Sequence, residues 1–440
     1  MHCADTPTPA PPQRGWLALL CTSRLLQGMI VTAYSGVLPF MMADWQMTAA
    51  QAGSIQSAWH VGYMSSLFAV GLLADRYGPH RIFVVGGAIG AVAALAFALF
   101  AHDHRSALLL YGLAGLCAGA SYTPGLQLLS LNAGPAVRGR AMGLFLGAAS
   151  MGYALSLAVV AGFSVVAHWR LGLLVAAGCT VAGVLLSVLA LRRMQPPVSP
   201  AVGAPREGVL QALNATVRDR PAMAGNWAYT FHCWELMALW AWLPAYLMAS
   251  SRGGASAWPA AGIALAAFAH LVSVFGSVVG GAASDRLGRA RVMMIATLAS
   301  LSLSFTFGWM WTWPLWALAA MAALYNLLAI ADSSVYSTAL ADVVAPHRLG
   351  VAFSVRSVMG FGAGALSPWV FGLALDWGQA QFGFGSTYAW VAAWSSVGLG
   401  ALLGPWMIVR FARLSAAVPH RPDSPASRRT DRFAGRGAGR

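Results

Sequence analysis

Two short segments, GLLADRYGPHR at residues 71–81 and GAASDRLGRAR at residues 281–291, are variants of one pattern. Each shared residue of the second segment lies 210 positions after its equivalent in the first. The shared residues are Gly71, Asp75, Arg76, Gly78 and Arg81 in the first segment, and Gly281, Asp285, Arg286, Gly288 and Arg291 in the second. Arg138 and Arg348 are related by the same offset. A constant offset over so much of the chain indicates an internal duplication, with one copy in each half.

The chain around these segments has the composition of a membrane protein. Of its 440 residues 58% are hydrophobic and 9% are charged, which excludes a soluble globular domain of this length. Apolar runs long enough to cross a bilayer, about 20 residues each, recur from Trp16 almost to Arg410. We predict twelve spans, at residues 16–43, 52–74, 80–102, 107–131, 140–167, 170–192, 222–250, 257–283, 291–312, 314–338, 350–377 and 386–411.

The positive charges indicate an orientation in the membrane. The net charge of +14 rests on arginine alone, and the arginines lie in the connections between spans, so we expect no nucleic-acid partner. They crowd alternate connections, whereas the opposite side has only Arg105, Arg170 and Arg252. By the positive-inside rule, both termini are predicted to be cytoplasmic, in an inner membrane of the bacterial type.

The duplication and the spans together predict five parts of the chain. The fold class expected is an all-α membrane protein with twelve transmembrane helices in two pseudo-symmetric six-helix bundles. The parts are a cytoplasmic N-terminal segment at 1–15, a first bundle at 16–192, a proline-rich cytoplasmic linker at 193–221, a second bundle at 222–412 and a basic, disordered cytoplasmic tail at 413–440.

The repeated pattern resembles the signature of the major facilitator superfamily (MFS). In that family the loop between the second and third helices reads Gly, three residues, Asp, Arg, any residue, Gly, two residues and a basic residue, with a copy in the second half. The resemblance covers nearly the whole chain and implies the MFS fold and transport by alternating access. It also implies that the Asp and Arg residues form a latch that helps to close the cytoplasmic side. A turn that serves only topology is the alternative.

Four charged residues are predicted to lie inside the membrane, at Arg24, Glu235, Asp332 and Arg356. Each needs a partner or an aqueous cavity, because a charge in hydrocarbon costs at least about 2.5 kcal/mol. Asp332 and Arg356 reach similar depths on consecutive helices, so we predict that they form an ion pair. Arg24 and Arg356 are candidates for binding an anionic substrate group, since arginine stays charged. A snorkelling Arg24 is the alternative.

A second group of residues is predicted to move protons. Glu235 lies near the midplane with His232 one turn before it, and a buried carboxyl is a candidate for taking up and releasing a proton. Asp332 is assigned to the same role. The alternative for Glu235 is a structural hydrogen bond to a neighbouring helix.

Uncharged candidates complete the predicted substrate site. His60 and His270 differ by the same 210 positions and are expected at equivalent places near mid-membrane. Tyr122, Gln127 and Asn326 can supply neutral hydrogen bonds, although helix packing explains them equally well. We expect no metal site, because neither histidine has a second ligand four residues away.

The sequence therefore predicts a secondary transporter, a monomeric symporter that moves a small organic anion with protons. Its partners are a small-molecule substrate, protons and membrane lipid, and it has no cofactor. An enzyme is not expected, because the chain has neither a His-Glu-x-x-His nor a Gly-x-Ser-x-Gly motif. Export of lipophilic drugs is the alternative within transport, although the fifth span lacks the Gly-Pro of drug/proton antiporters, since Tyr153 follows Gly152. A non-transporting solute sensor is the alternative outside it.

Overall fold

The computed structural model describes residues 15–133, 138–166, 168–194, 208–252, 260–345 and 348–417. Within these ranges the chain is helical and contains no β-strand. The predicted N-terminal segment up to residue 14, linker residues 195–207 and the predicted tail from residue 418 lie outside the described residues.

Seven α-helices form the first half. They are α1 (Trp16–Asp44), α2 (Ala49–Tyr77), α3 (Pro79–Phe100), α4 (His104–Ala118), α5 (Thr123–Asn132), α6 (Arg138–Val166) and α7 (Trp169–Arg192). Nine follow, namely α8 (Val209–Arg218), α9 (Arg220–Arg252), α10 (Ala261–Leu287), α11 (Arg289–Thr306), α12 (Leu315–Ala331), α13 (Ser333–Val343), α14 (Leu349–Phe382), α15 (Thr387–Ala401) and α16 (Gly404–Ala416). Short 3₁₀ turns at Gly119–Ser121 and Phe307–Thr312 extend α4 and α11.

Ten helical segments in the described ranges are long and apolar enough to cross a membrane. They are α1, α3, α4 with α5, α6, α7, α10, α11 with its 3₁₀ turn, α12 with α13, α14, and α15 with α16. Helices α2 and α9 have 29 and 33 residues but are absent from this set. Both carry many polar side chains and hydrogen-bonding aromatic rings, which lower their hydropathy.

The glycines of the repeated pattern end two helices with tight turns. Gly78, between α2 and α3, has φ +87°, and Gly288, between α10 and α11, has φ +93°. Side chains with a Cβ rarely adopt this conformation. The two halves therefore make the same turn at equivalent positions.

Helix α14 packs along both α2 and α9 and joins the two halves of the chain. Helices α1 and α6 of the first half also contact α9 and α10 of the second. Where α2 begins, the approach to α14 depends on glycine, because a Cβ at Gly53 or Gly372 would collide with the backbone of the facing helix. Small residues at such a crossing allow the close backbone contact that holds helices together in lipid.

A carboxylate of α14 caps the N-terminus of α2. The backbone N–H groups of Ala49 and Ala50 donate to the two oxygens of Asp376, each at 2.8 Å. Unpaired N–H groups at a helix start carry partial positive charge, which a carboxylate satisfies. This contact fastens the two halves at the end of the bundle where α2 starts.

We expect Asp376→Ala to destabilise the protein by about 1 kcal/mol, because the first turn of α2 loses two acceptors. The unfolding midpoint of the purified protein in detergent measures this. Asp103→Ala is a matched control, since Asp103 is exposed and caps only α4, by accepting from the Ser106 N–H at 2.8 Å. An unchanged midpoint in Asp376→Ala beside a lowered one in Asp103→Ala would show that the contact between the halves contributes nothing.

Candidate functional site

The four predicted intramembrane charges all lie inside the helical bundle. Arg24 is 6% exposed, Arg356 7%, Glu235 3% and Asp332 2%. These values argue against the snorkelling alternative for Arg24, because a snorkelling side chain keeps its charged end in water. The partners of each charge therefore decide what the interior can do.

Two spans are interrupted where these charges gather. The 3₁₀ turn Gly119–Ser121 and then Tyr122 separate α4 from α5, while Asp332 alone separates α12 from α13. Tyr122 and Asp332 differ by 210 positions, so the breaks are equivalent in the two halves. Interrupted helices are typical of substrate and ion sites in transporters. The sequence analysis did not predict them, although Pro124, in the first turn of α5, is a signal for the first break.

Arg24 contacts hydroxyl and aromatic groups but no carboxylate. Its Nη1 donates to Ser121 Oγ at 2.5 Å, and its guanidinium carbon lies 5.7 Å from the ring centres of both Tyr122 and Phe145. Its Nε has no hydrogen-bond partner. Among the described residues, no Asp or Glu lies within ion-pair distance of Arg24. A positive charge is thus held in the interior without a fixed counter-charge.

Arg356 has the same kind of environment in the other half. Its Nη1 donates to Ser337 Oγ at 2.7 Å, and its guanidinium carbon lies 4.5 Å from the ring centre of Tyr229 and 4.8 Å from that of Phe353. Its Nε also lacks a partner. The predicted ion pair between Asp332 and Arg356 is therefore wrong.

Asp332 pairs with His232 of α9 instead. Asp332 Oδ1 lies 3.0 Å from His232 Nδ1, and Asp332 Oδ2 accepts from Thr297 of α11 at 3.1 Å. His232 Nε2 lies 2.9 Å from Ser333 Oγ. The break between α12 and α13 directs the carboxylate towards α9 and α11. The sequence indicated that Asp332 and Arg356 lie at similar depths on consecutive helices. It did not indicate the direction in which each side chain points around its helix axis.

Glu235 is hydrogen-bonded to a row of hydroxyl groups on α11. Ser304 donates to Oε1 and Ser300 to Oε2, both at 2.9 Å, and the hydroxyl of Tyr325 lies 2.5 Å from that of Ser304. This geometry agrees with the alternative given for Glu235, a structural hydrogen bond to a neighbouring helix. The role of Glu235 in moving protons stays a prediction. The sequence analysis missed Thr297, Ser300 and Ser304. Their spacing of three and four residues along one helix face is a signal that can find them.

Three of the five neutral candidates lie around the indole of Trp240, and the other two lie elsewhere. Asn326 accepts a hydrogen bond from Trp240 Nε1 at 2.9 Å, and the His270 ring lies 5.4 Å from the same indole. His60 lines a small cavity beside Trp240. Tyr122 belongs to the Arg24 environment instead, and Gln127 is half-buried on α5. Trp240, which the sequence analysis did not select, thus joins three of the predicted residues.

The profile of the Major Facilitator Superfamily matches residues 20–368, which is most of the chain. The chain belongs to this superfamily. Membership indicates a membrane protein that transports small solutes and is not an enzyme. The all-helical architecture and the interior charges agree with that role.

Individual relatives are more distant. The chain is 25% identical over 382 residues to the "Probable sulfoacetate transporter SauU" of Cupriavidus necator, an alignment that covers 82% of this chain and 86% of that protein. A bacterial homologue of the human lysosomal transporter Spinster, in an inward-facing and unoccupied conformation, has a TM-score of 0.72 and 14% identity over 91% of this chain and 99% of its own. A variant of the nucleoside transporter NupG has a TM-score of 0.72 and 15% identity over 91% of this chain and 100% of its own. The solved structures show a shared fold.

The repeated superfamily segment forms ion pairs in the second half, but with a residue outside the shared pattern. Arg289 Nη1 lies 2.5 Å from Asp285 Oδ1, and Arg289 Nε lies 3.3 Å from Asp342 Oδ2 on α13. Arg81, Arg286 and Arg291 are exposed, and Arg76 lies over the ring of Tyr77 at 5.3 Å. For Gly71 and Asp75, the structure describes only the helical backbone. The latch role of both segments stays a prediction.

We expect the stability effects of Asp332→Asn and His232→Gln to be coupled more strongly than those of Asp332→Asn and Arg356→Gln. Residues in contact typically show interaction energies of about 0.5–3 kcal/mol. The unfolding midpoints of the single and double variants, measured in detergent, give the interaction energy of each pair by a double-mutant cycle. If the interaction energy between Asp332 and Arg356 is the larger of the two, the ion pair predicted from the sequence is correct and the pairing of Asp332 with His232 is not.

Proposed function

We propose that this superfamily member is a secondary active transporter for a small organic anion, moved by alternating access and coupled to protons. One observation carries the proposal. Arg24 and Arg356 lie in different halves, both are buried, and neither has a carboxylate at ion-pair distance among the described residues. An unpaired buried charge is unfavourable, and arginine cannot lose its proton to relieve it. An anionic substrate supplies the missing negative charge.

The surroundings of both arginines suit this task. Aromatic rings lie beside each guanidinium and stabilise it by cation–π contact without neutralising it. Among the described residues each Nε is without a hydrogen-bond partner and can donate to a planar or tetrahedral anion, the kind of group that arginine binds with charge-assisted hydrogen bonds. The name of the C. necator relative specifies sulfoacetate, which has a carboxylate and a sulfonate group. That name supports the same substrate class.

Proton coupling is assigned to the acidic cluster of the second half. Glu235 is bonded to Ser300 and Ser304 of α11, and Asp332 to Thr297 of the same helix. His232 lies beside Asp332 and Ser333 instead. Hydroxyl groups next to carboxyl groups can take part in proton transfer. Tyr325, Tyr336, Tyr229 and Cys233 are further titratable groups beside this cluster, and the ring of Tyr229 stacks on that of His232 at 5.6 Å. We assign proton uptake and release to Glu235 first, with His232 and Asp332 as its partners.

The architecture proposed for this cycle has twelve spans, with α2 and α9 added to the ten apolar segments. Two pseudo-symmetric bundles, at 16–192 and 222–412, are joined by the linker at 193–221. The paired turns at Gly78 and Gly288 support this symmetry.

The same proposal assigns an orientation in the membrane, and it requires the contact between α2 and α14 to open. The crowding of arginine in alternate connections supports cytoplasmic termini. The proposal further takes a monomer in a bacterial inner membrane as the transporting unit. In this orientation the N-terminus of α2, which Asp376 caps, lies on the side opposite the cytoplasm. The contact between this end of α2 and α14 then has to open during transport.

We expect small carboxylates or sulfonates to raise the unfolding midpoint of the purified protein, because a ligand at 100 times its Kd stabilises by about 2.7 kcal/mol. Arg24→Ala and Arg356→Ala should each weaken this effect at least about tenfold, since a charged hydrogen bond is worth about 1.5–3 kcal/mol. Arg105→Ala, on the exposed surface of α4, is the matched control. Stabilisation by lipophilic cations alone, unchanged in the arginine variants, would favour the drug-export alternative.

We also expect Glu235→Gln to abolish the acceleration of anion uptake by an inward proton gradient, because the amide cannot take up the proton. Uptake into proteoliposomes, with and without the gradient, measures this. Ser302→Ala is the control, since its hydroxyl lies on the exposed face of α11. Transport by Glu235→Gln with an unchanged pH dependence would refute the assignment.

A further inference from the structure

The indole of Trp240 lies between the two halves of the chain. Its ring centre is 5.5 Å from that of Tyr153 on α6 and 5.4 Å from that of His270 on α10. Its N–H donates to Asn326 Oδ1 on α12 at 2.9 Å. Trp240 is therefore oriented by one hydrogen bond and two ring contacts.

Two polar side chains of the first half face the same indole across a small cavity. Gln56 and His60 of α2 line this cavity with Trp240, and both are more than nine-tenths buried. Gln56 Nε2 lies 3.3 Å from His60 Nε2, which leaves Gln56 Oε1 and His60 Nδ1 without hydrogen-bond partners. Turning the amide exchanges the two Gln56 atoms but still leaves one of them unpaired.

Two further unpaired atoms lie on the side of the second half. His270 is 1% exposed and its Nε2 has no hydrogen-bond partner. Asn326 is fully buried, and its Nδ2 has no partner because only its oxygen is used by Trp240. Buried polar atoms in native proteins are almost always paired with protein, water or ligand. Four unpaired groups around one indole therefore indicate that something polar binds there.

We propose that Gln56 and His60, together with the indole of Trp240 that Asn326 and His270 contact, form a second, uncharged substrate subsite, which binds a hydroxyl group of the transported anion. This inference rests on the proposed function. The cavity measures about 10 Å³, room for about one water molecule, and no Asp, Glu or Arg lines it. A hydroxyl group has the size of a water molecule and both donates and accepts, so it can pair with the unpaired atoms of Gln56 and His60. A charged group would be buried there without a counter-charge.

The distance to the arginines fits a small molecule. Thr32 lines the cavity and follows Arg24 by eight residues along α1, a rise of about 12 Å. The side chain of Arg24 and a short organic anion can fill this length end to end. The substrate class is therefore a hydroxylated small organic anion, such as a hydroxycarboxylate or a hydroxysulfonate, with its charge at the arginines and its hydroxyl at Trp240.

The test uses anion pairs that differ by one hydroxyl group. Lactate and propionate, malate and succinate, and 2-hydroxyethanesulfonate and ethanesulfonate are titrated into the purified wild-type protein, and Kd is measured for each. We expect the hydroxylated member of at least one pair to bind about tenfold more tightly, because one hydrogen bond is worth about that factor. This comparison needs no variant.

Two near-isosteric variants locate the effect. Asn326→Leu and Gln56→Leu should weaken the hydroxylated anion about tenfold and leave its partner unchanged, whereas Arg24→Ala should weaken both. If binding depends on Arg24 but both members of every pair bind equally well, the hydroxyl subsite is wrong and the cavity holds water. The proposed function would be unaffected by that result. Binding by none of the anions would overturn the proposed function and the subsite together.

Discussion

A charged side chain in a hydrocarbon environment has to be neutralised by its surroundings, and this requirement organises the interior of the protein. The two acids meet it within the second half, where Glu235 accepts two serine hydroxyls and Asp332 lies beside His232 and Thr297. The two arginines do not, since each has one serine hydroxyl and aromatic rings but no carboxylate among the described residues. The described residues thus place polar partners beside both acids, but no carboxylate beside either arginine.

The interrupted helices determine where these groups lie. A continuous helix satisfies its own backbone, whereas a break frees polar groups and brings two helix ends towards the centre of the bundle. Ser121 and Tyr122 lie in one break and contact Arg24, whereas Asp332 forms the equivalent break and, with the adjacent Ser333, contacts His232. Equivalent positions of the two halves therefore carry different chemistry: an aromatic ring at Tyr122 in the first half and an acid at Asp332 in the second.

The contact between α2 and α14 has a composition suited to movement. It rests on the close approach of Gly53 and Gly372 to the facing backbone and on the Asp376 cap, with its two hydrogen bonds. Lipid tails are as apolar as leucine, so helices in a membrane gain little from burying apolar surface against each other. The start of this crossing can therefore separate with little change in buried apolar area. Further along, the ring of Tyr63 on α2 packs against that of Phe361 on α14, with ring centres 5.0 Å apart.

The amino-acid sequence alone determined the class of this protein. Hydropathy and the 210-residue offset predicted a helical membrane protein with a duplicated signature, and superfamily membership and the turns at Gly78 and Gly288 agree with that prediction. The sequence also placed the four charges in the interior, because hydropathy reports how deep a residue lies along a span. It did not find the partner of Asp332, the hydroxyl row on α11 or the role of Trp240. Those contacts depend on the rotation of each helix about its axis and on the breaks at Tyr122 and Asp332, which only the packing of distant helices decides.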